Sequence, residues 1–328
     1  MTTHAASMPL EQRSAQTRMA RPSRFGDRAF ELLTLAMALI VVLLIVLIGW
    51  QLWHGSVLAI RKFGFHFLAT STWDPVAEQF GALPFIYGTL ISSLIALVIA
   101  VPLGIATAAY LTELAPLWIR QPLVSLIEML AAIPSVILGL WGIFVMIPWL
   151  RDYPFPWLKR FFGWTPFFSG PTYGPSMLAG GIIIAIMILP IITSVSREIL
   201  RSVPDLQREA AYALGATRWE ATRIAVLSYA KKGLFGAVIL GLGRALGETM
   251  AVTMVIGNTP QIALSLFAPG YTLASVLANE FTEATTELYL QALFEIGLVL
   301  LGITILVNLL AQLLLRTLTT KSATRAVQ

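Results

Sequence analysis

Arg244 and Glu248 stand four residues apart in the segment Gly241-Leu242-Gly243-Arg244-Ala245-Leu246-Gly247-Glu248-Thr249-Met250-Ala251, which is otherwise apolar or small. On a helix this spacing puts both side chains on one face, within reach of each other. A guanidinium offers a planar fork of donors that matches the oxygens of phosphate or sulfate. A carboxylate beside it can neutralise it, hold it in place, or accept a proton from a partly protonated oxyanion. Two more carboxylates, Glu128 and Glu295, fall in or near apolar runs and read as polar contacts between helices. No other constellation offers chemistry. The three histidines, His4, His54 and His66, do not pair at ligand spacing, there is no cysteine, and no Ser/His/Asp set is visible. Neither a metal site nor a membrane-embedded enzyme is expected. The Gly-x-Gly at 241–243 is not a nucleotide loop, because no strand precedes it.

The elements that must position this pair are membrane spans. Of 328 residues, 57% are hydrophobic and 12% charged, against about 25% charged in an ordinary soluble domain. The apolar residues cluster into runs long enough for the ~20 helical residues that cross a bilayer. Six spans are predicted, at about 31–53, 87–110, 123–149, 177–196, 234–257 and 290–315, so the fold class is an all-α polytopic membrane protein. The first run is too long for the apolar region of a signal peptide and lacks a small-residue cleavage site, so an uncleaved anchor is expected. Arg244 and Glu248 then lie inside the fifth span. An ionisable group at the bilayer centre costs roughly 2.5–3.5 kcal/mol and usually faces a partner or a water-filled path. Two readings stay open: the pair simply neutralises itself, or Arg244 faces a pathway and meets an anion. Pro102, Pro134 and Pro190 are expected to kink their spans.

Basic residues set the orientation. Arg13, Arg18, Arg21, Arg24 and Arg28 precede the first span, a dense group from Arg197 to Lys232 follows the fourth, and Arg316, Lys321 and Arg325 follow the sixth. The alternate loops hold only Arg61, Lys62, Arg151, Lys159 and Arg160. Both termini are therefore expected in the cytoplasm. The net charge of +5 sits at span edges, where it determines topology and does not suggest a nucleic-acid partner. Residues 1–28 are expected to be a disordered cytoplasmic segment, 29–318 the transmembrane domain, and 319–328 a cytoplasmic tail. Aromatic and proline-rich outer loops, such as Phe63-Gly64-Phe65-His66-Phe67 and Pro154-Phe155-Pro156-Trp157, suit the membrane interface.

The cytoplasmic segment between the fourth and fifth spans, about 197–233, is patterned unlike a flexible loop. Pro204-Asp205 starts a helix; Leu206, Ala210, Ala213 and Leu214 recur at helical spacing; Gly215 is a natural stop; and a second helix is expected from Thr217. Residue pattern alone leaves open whether this unit packs on its own spans or receives a partner.

Glu209-Ala210-Ala211 followed by Gly215 resembles the EAA motif of ABC-importer permeases, although Ser228 stands where that motif has proline. Gly243-Arg244-Ala245-Leu246-Gly247-Glu248-Thr249, Ala132-Ile133-Pro134-Ser135 and Ser71-Thr72-Trp73-Asp74-Pro75 resemble the permeases of the phosphate-specific transport system. Phe168-Ser169-Gly170-Pro171 and Ala278-Asn279-Glu280-Phe281 resemble its PstC-type subunit, not the PstA type. The resemblance covers nearly the whole chain after residue 28. It implies a type I ABC-importer (MetI-like) fold and a role for Glu209, Ala210, Ala211 and Gly215 in docking an ATPase. It also implies passage of phosphate past Arg244 and Glu248. The implied partners are a PstA-like permease, two PstB-like ATPases and a periplasmic phosphate-binding protein, in the bacterial inner membrane. The chain has no phosphate-cradling Gly-x-x-x-x-Gly-Lys-Ser/Thr loop, so no cofactor is expected on it, and ATP with Mg belongs to the ATPase.

Overall fold

The computed structural model describes residues 24–324. Most of the segment expected to be disordered, and the last four residues of the tail, lie outside the described residues. The chain divides into two units, one ending at Gln51 and one beginning at Leu52. The first holds most of α1 (Arg24–Gly55), a 32-residue helix rich in Leu, Ile and Val.

The second unit is also helical, and among the described residues the antiparallel bridge Asp74–Gln79 is its one strand-like pairing. Short helices α2 (Val57–Phe63) and α3 (His66–Ala69) lead to α4 (Leu83–Ala109), which runs on as a π-helical turn, Tyr110–Leu114. Next come α5 (Leu117–Ala132) and α6 (Ser135–Trp141), the latter continued by a π turn and by α7 (Ile147–Asp152) and α8 (Pro154–Phe162). Then follow α9 (Met177–Arg201), α10 (Asp205–Ala213) and α11 (Arg218–Ala221), whose π turn Thr222–Leu227 leads without a break into α12 (Ser228–Leu246). The chain closes with α13 (Met250–Val255), α14 (Leu273–Glu280) and α15 (Glu287–Thr324).

Among the described residues, six helical stretches are long and apolar enough to cross a membrane: Gly26–Gly55, Leu83–Leu114, Ser135–Phe162, Met177–Arg201, Arg218–Leu246 and Glu287–Leu315. Two differ from expectation. The predicted third span, 123–149, is cut at Ile133-Pro134, where both residues are extended (ψ 125° and 138°). The ring of Pro134 disfavours helix in the residue before it, so α5 becomes a separate helix and the span starts at Ser135. The predicted fifth span, 234–257, starts far earlier. The expected second helix of the cytoplasmic segment is the first part of that spanning helix, and the helix passes straight through Ser228. Pro102 and Pro190 lie inside α4 and α9, whereas Pro134 ends a helix.

The main core joins α4, α6, α9 and α13 through Ala96, Ala100, Leu138, Ile183, Ile188, Ile192 and Val252. Helices in lipid associate by close packing and not by expelling water, so small residues mark their contacts. Gly181 fits against Ile95, and Gly241 against Ile192. Gly241, which could have served a subunit interface, is thus used inside this chain. A second cluster, around Phe67, Phe80, Phe85, Tyr271 and Tyr289, gathers the outer loops. Phe67 and Phe155 are fully buried and not interfacial. A third, of Ala108, Ala109, Leu200, Val203, Val226, Ala230 and Leu234, ties the C-terminal ends of α4 and α9 to the start of α12.

Candidate functional site

Two broken helices meet beside Arg244. Helix α12 ends at Leu246, Gly247 and Glu248 turn the chain, and α13 sets off from Met250. Facing it is the break between α5 and α6. The halves beyond the breaks pack closely: a β-carbon on Gly139 of α6 would stand 3.1 Å from the Ala251 Cα of α13 and against Met254. A side chain at 139 must therefore displace Met254 and crowd the Ala251 backbone. Gly139→Val forces these halves apart and is expected to cost about 1–3 kcal/mol, read as a lower melting temperature of the purified protein; an unchanged melting temperature would show that α13 can move aside.

The two breaks frame a cleft of about 330 Å³ lined by Leu130, Ala131, Ile133, Leu138, Met187, Ile191 and Arg244. Arg244 is the charged member of that lining. It occupies the last turn of α12, the end of a helix that favours a cation. Its side chain is 51% exposed and its Nη2 stands 3.6 Å from the Glu248 Oε2, while Glu248 is only 5% exposed. That distance permits Coulomb attraction but is too long for a hydrogen bond. Glu248 is held from the other side, where its Oε1 accepts the Ala251 N–H at 3.4 Å. The expectation that both residues share one continuous helical face needs correction, because the helix ends between them. They still meet, with the carboxylate behind and the guanidinium facing the cleft.

Glu128 is exposed and pairs at 3.4 Å with Arg197 of α9, a polar contact between helices as expected. Glu295 departs from that expectation: it is buried on α15, and its Oε2 has no hydrogen-bond partner among the described residues.

The residues of the EAA-like motif share one small unit. None of the residues of α10 is buried. Glu209 and Ala210 are exposed and Ala211 is half-buried. Gly215 adopts φ +84°, as a stop requires; the Ala216 N–H reaches the Ala211 carbonyl and the Gly215 N–H the Tyr212 carbonyl, closing the helix with the paired bonds typical of glycine-terminated helices. Thr217 and Glu220 cap the start of α11 reciprocally. Around this turn Leu206 is 73% and Leu214 90% exposed, with Trp219 also exposed. Leu206 and Leu214 are thus turned outward, away from the spans.

Elsewhere, the Trp73 Nε1–H and the Tyr289 hydroxyl both donate to the Glu280 Oε2 at 2.7 Å, and the Asn279 amide donates to the Tyr271 hydroxyl. Burial, aided by the charge of Glu280, pushes the Tyr271 phenol above its ordinary value, so it stays neutral. Trp73 and Glu280 come from two of the quoted motifs and meet across 207 residues.

The family described as binding-protein-dependent transport system inner membrane component matches residues 100–321. The chain belongs to this family of permeases. Among similar proteins, the phosphate transport system permease protein PstC of Mesorhizobium japonicum is 46% identical over 92% of this chain and 94% of its own. That of Haemophilus influenzae is 47% identical over 88% and 93%. One solved structure, of a bacterial ABC transporter involved in the import of the acidic polysaccharide alginate, shares the fold with a TM-score of 0.53 at 16% identity. It covers 90% of this chain and 99% of that chain. This permease is accordingly a multi-pass membrane subunit of the PstC group that works with other ABC components, and it is not an enzyme.

The family match takes in both groups of predicted residues. The fold brings Arg244 to Glu248, and Glu209 to Ala210, Ala211 and Gly215, and it sets the two groups toward opposite ends of the helix Arg218–Leu246. Sequence reading passed over Glu113, Arg208 and Arg197. Arg208 directly precedes Glu209, but nothing local connects it with Glu113.

Proposed function

We propose that this chain is the PstC-type permease subunit of an ATP-driven importer of inorganic phosphate and supplies half of the translocation pathway. The observation that carries this reading is the half-exposed guanidinium of Arg244 in a cleft between two broken helices. Broken spans commonly border transported substrates, because their ends can point at charge. Phosphate released by a periplasmic binding protein at the outer mouth meets Arg244, whose fork fits two of its oxygens. Glu248 keeps the fork aimed and its charge balanced, and can accept a hydrogen bond from a protonated oxygen of the anion. The contact is transient, since a tight site within the membrane would slow release.

The other half of the pathway comes from a PstA-like permease. Two PstB-like ATPases hold the ATP and Mg, and one docks on the unit containing Glu209, Ala210, Ala211 and Gly215. The exposure of Leu206 and Leu214 supports this reading, because a loop meant to pack on its own chain would bury them. The complex lies in the bacterial inner membrane with both termini of this chain in the cytoplasm.

The test is phosphate uptake at low concentration in cells lacking this chain, with and without the wild-type protein, and with sulfate uptake as control. Restoration of phosphate uptake alone is the expected result. Dependence of sulfate uptake on the chain, with phosphate unaffected, would reassign the substrate and leave the importer.

A further inference from the structure

Arg208 of α10 makes five hydrogen bonds. Its Nε donates to the Glu113 Oε2 at 3.1 Å and its Nη2 to the Glu113 Oε1 at 2.8 Å. Nη2 also donates to the Leu200 carbonyl at 3.0 Å, while Nη1 donates to the Val203 carbonyl at 2.7 Å and to the Asp205 Oδ1 at 3.0 Å. A guanidinium has five N–H groups, so all are used. Glu113 is 9% and Arg208 16% exposed, and the bond to Glu113 raises the guanidinium above its ordinary value. Glu113 sits in the π turn that ends α4, and Leu200 in the last turn of α9. One side chain of the short cytoplasmic helix thereby grips the inner ends of two spans, directly over the cluster formed by Ala109, Leu200 and Val203.

We propose that Arg208 and Glu113 are positioning residues that convert displacement of α10 into displacement of the inner ends of α4 and α9, and so fix how much phosphate moves per ATP. The proposal rests on the importer reading above. Two features support it. The forked, fully satisfied geometry resists both sliding and rotation, as a single point contact would not. The neighbouring Glu209 is exposed and free to face a partner, whereas Arg208 points inward. The docking unit therefore has separate outward and inward grips.

The experiment uses the complete complex in proteoliposomes and measures phosphate uptake and ATP hydrolysis together. Removing one partner leaves a buried charge alone and risks misfolding. The decisive variant is therefore the double apolar exchange Glu113→Leu with Arg208→Met. It is expected to assemble and hydrolyse ATP while phosphate moved per ATP falls roughly tenfold or more, the scale of a lost charged hydrogen-bond pair. Arg208→Lys keeps the charge but loses the fork and should fall between. A double variant with the wild-type ratio of phosphate to ATP overturns the proposal. So does one that no longer assembles with the ATPases, which would make the pair a folding contact only. A wild-type complex that hydrolyses ATP but moves no phosphate instead overturns the importer reading, a result distinct from both.

Discussion

A complex carrying Arg244→Gln is expected to take up phosphate on the order of 100-fold more slowly than wild type at low phosphate. Glutamine keeps a polar tip but loses the positive charge and the fork of donors. The guanidinium is half exposed to the cleft and stands 3.6 Å from the Glu248 carboxylate, so little in the chain itself depends on it for packing. The exchange does leave Glu248, 5% exposed, without its countercharge, and the amount of protein in the membrane must be measured alongside uptake. Arg244→Lys separates the two effects. It retains the charge beside Glu248 but not the planar fork, so it should restore the membrane level fully and uptake only in part. ATP hydrolysis should persist in both variants, because the docking unit is remote. Wild-type uptake by Arg244→Gln would remove this residue from the pathway and leave the pair as mutual neutralisation.

The second large effect is expected at the cytoplasmic face. Leu206→Asp combined with Leu214→Asp should strip the ATPase from the purified complex and abolish uptake. These side chains are among the most exposed apolar groups of the second unit, so the chain should still fold and reach the membrane. Placing carboxylates where a partner buries apolar surface typically removes more than about 2 kcal/mol of binding when the position is a central anchor, roughly 30-fold in affinity at the least. Co-purification of the ATPase with the solubilised double variant is the direct readout. Full retention would show that docking relies on Glu209 and its neighbours without these leucines.

The sequence made some of this visible and hid the rest for physical reasons. Apolar runs revealed the spans because the bilayer demands length, and Gly215 marked the end of α10 because few other residues adopt a positive φ. Arg244 and Glu248 were found because charge is rare in apolar surroundings. The break at Ile133-Pro134 was hidden since hydrophobicity runs unbroken across it, and apolarity does not distinguish a kinked helix from two helices. The long start of the fifth span was hidden for the opposite reason. Arg218, Glu220, Arg223, Lys231 and Lys232 read as a separate helix outside the membrane, yet a spanning helix can extend beyond the hydrocarbon into water. Glu113 and Arg208 lie 95 residues apart, and their partnership exists only once α4, α9 and α10 are packed.

The unbroken helix from Arg218 to Leu246 also acts as a lever. At 1.5 Å per residue, its first residue and Arg244 are about 40 Å apart. A tilt of about 5° at the cytoplasmic end would swing the far tip by about 3 Å, comparable to the gap that separates the Arg244 and Glu248 charges. Val226, Ala230 and Leu234 pack the rod against α4 and α9, so those helices turn with it as it carries the message as angle. A small rotation at one end is amplified by length into a shift of the guanidinium at the other.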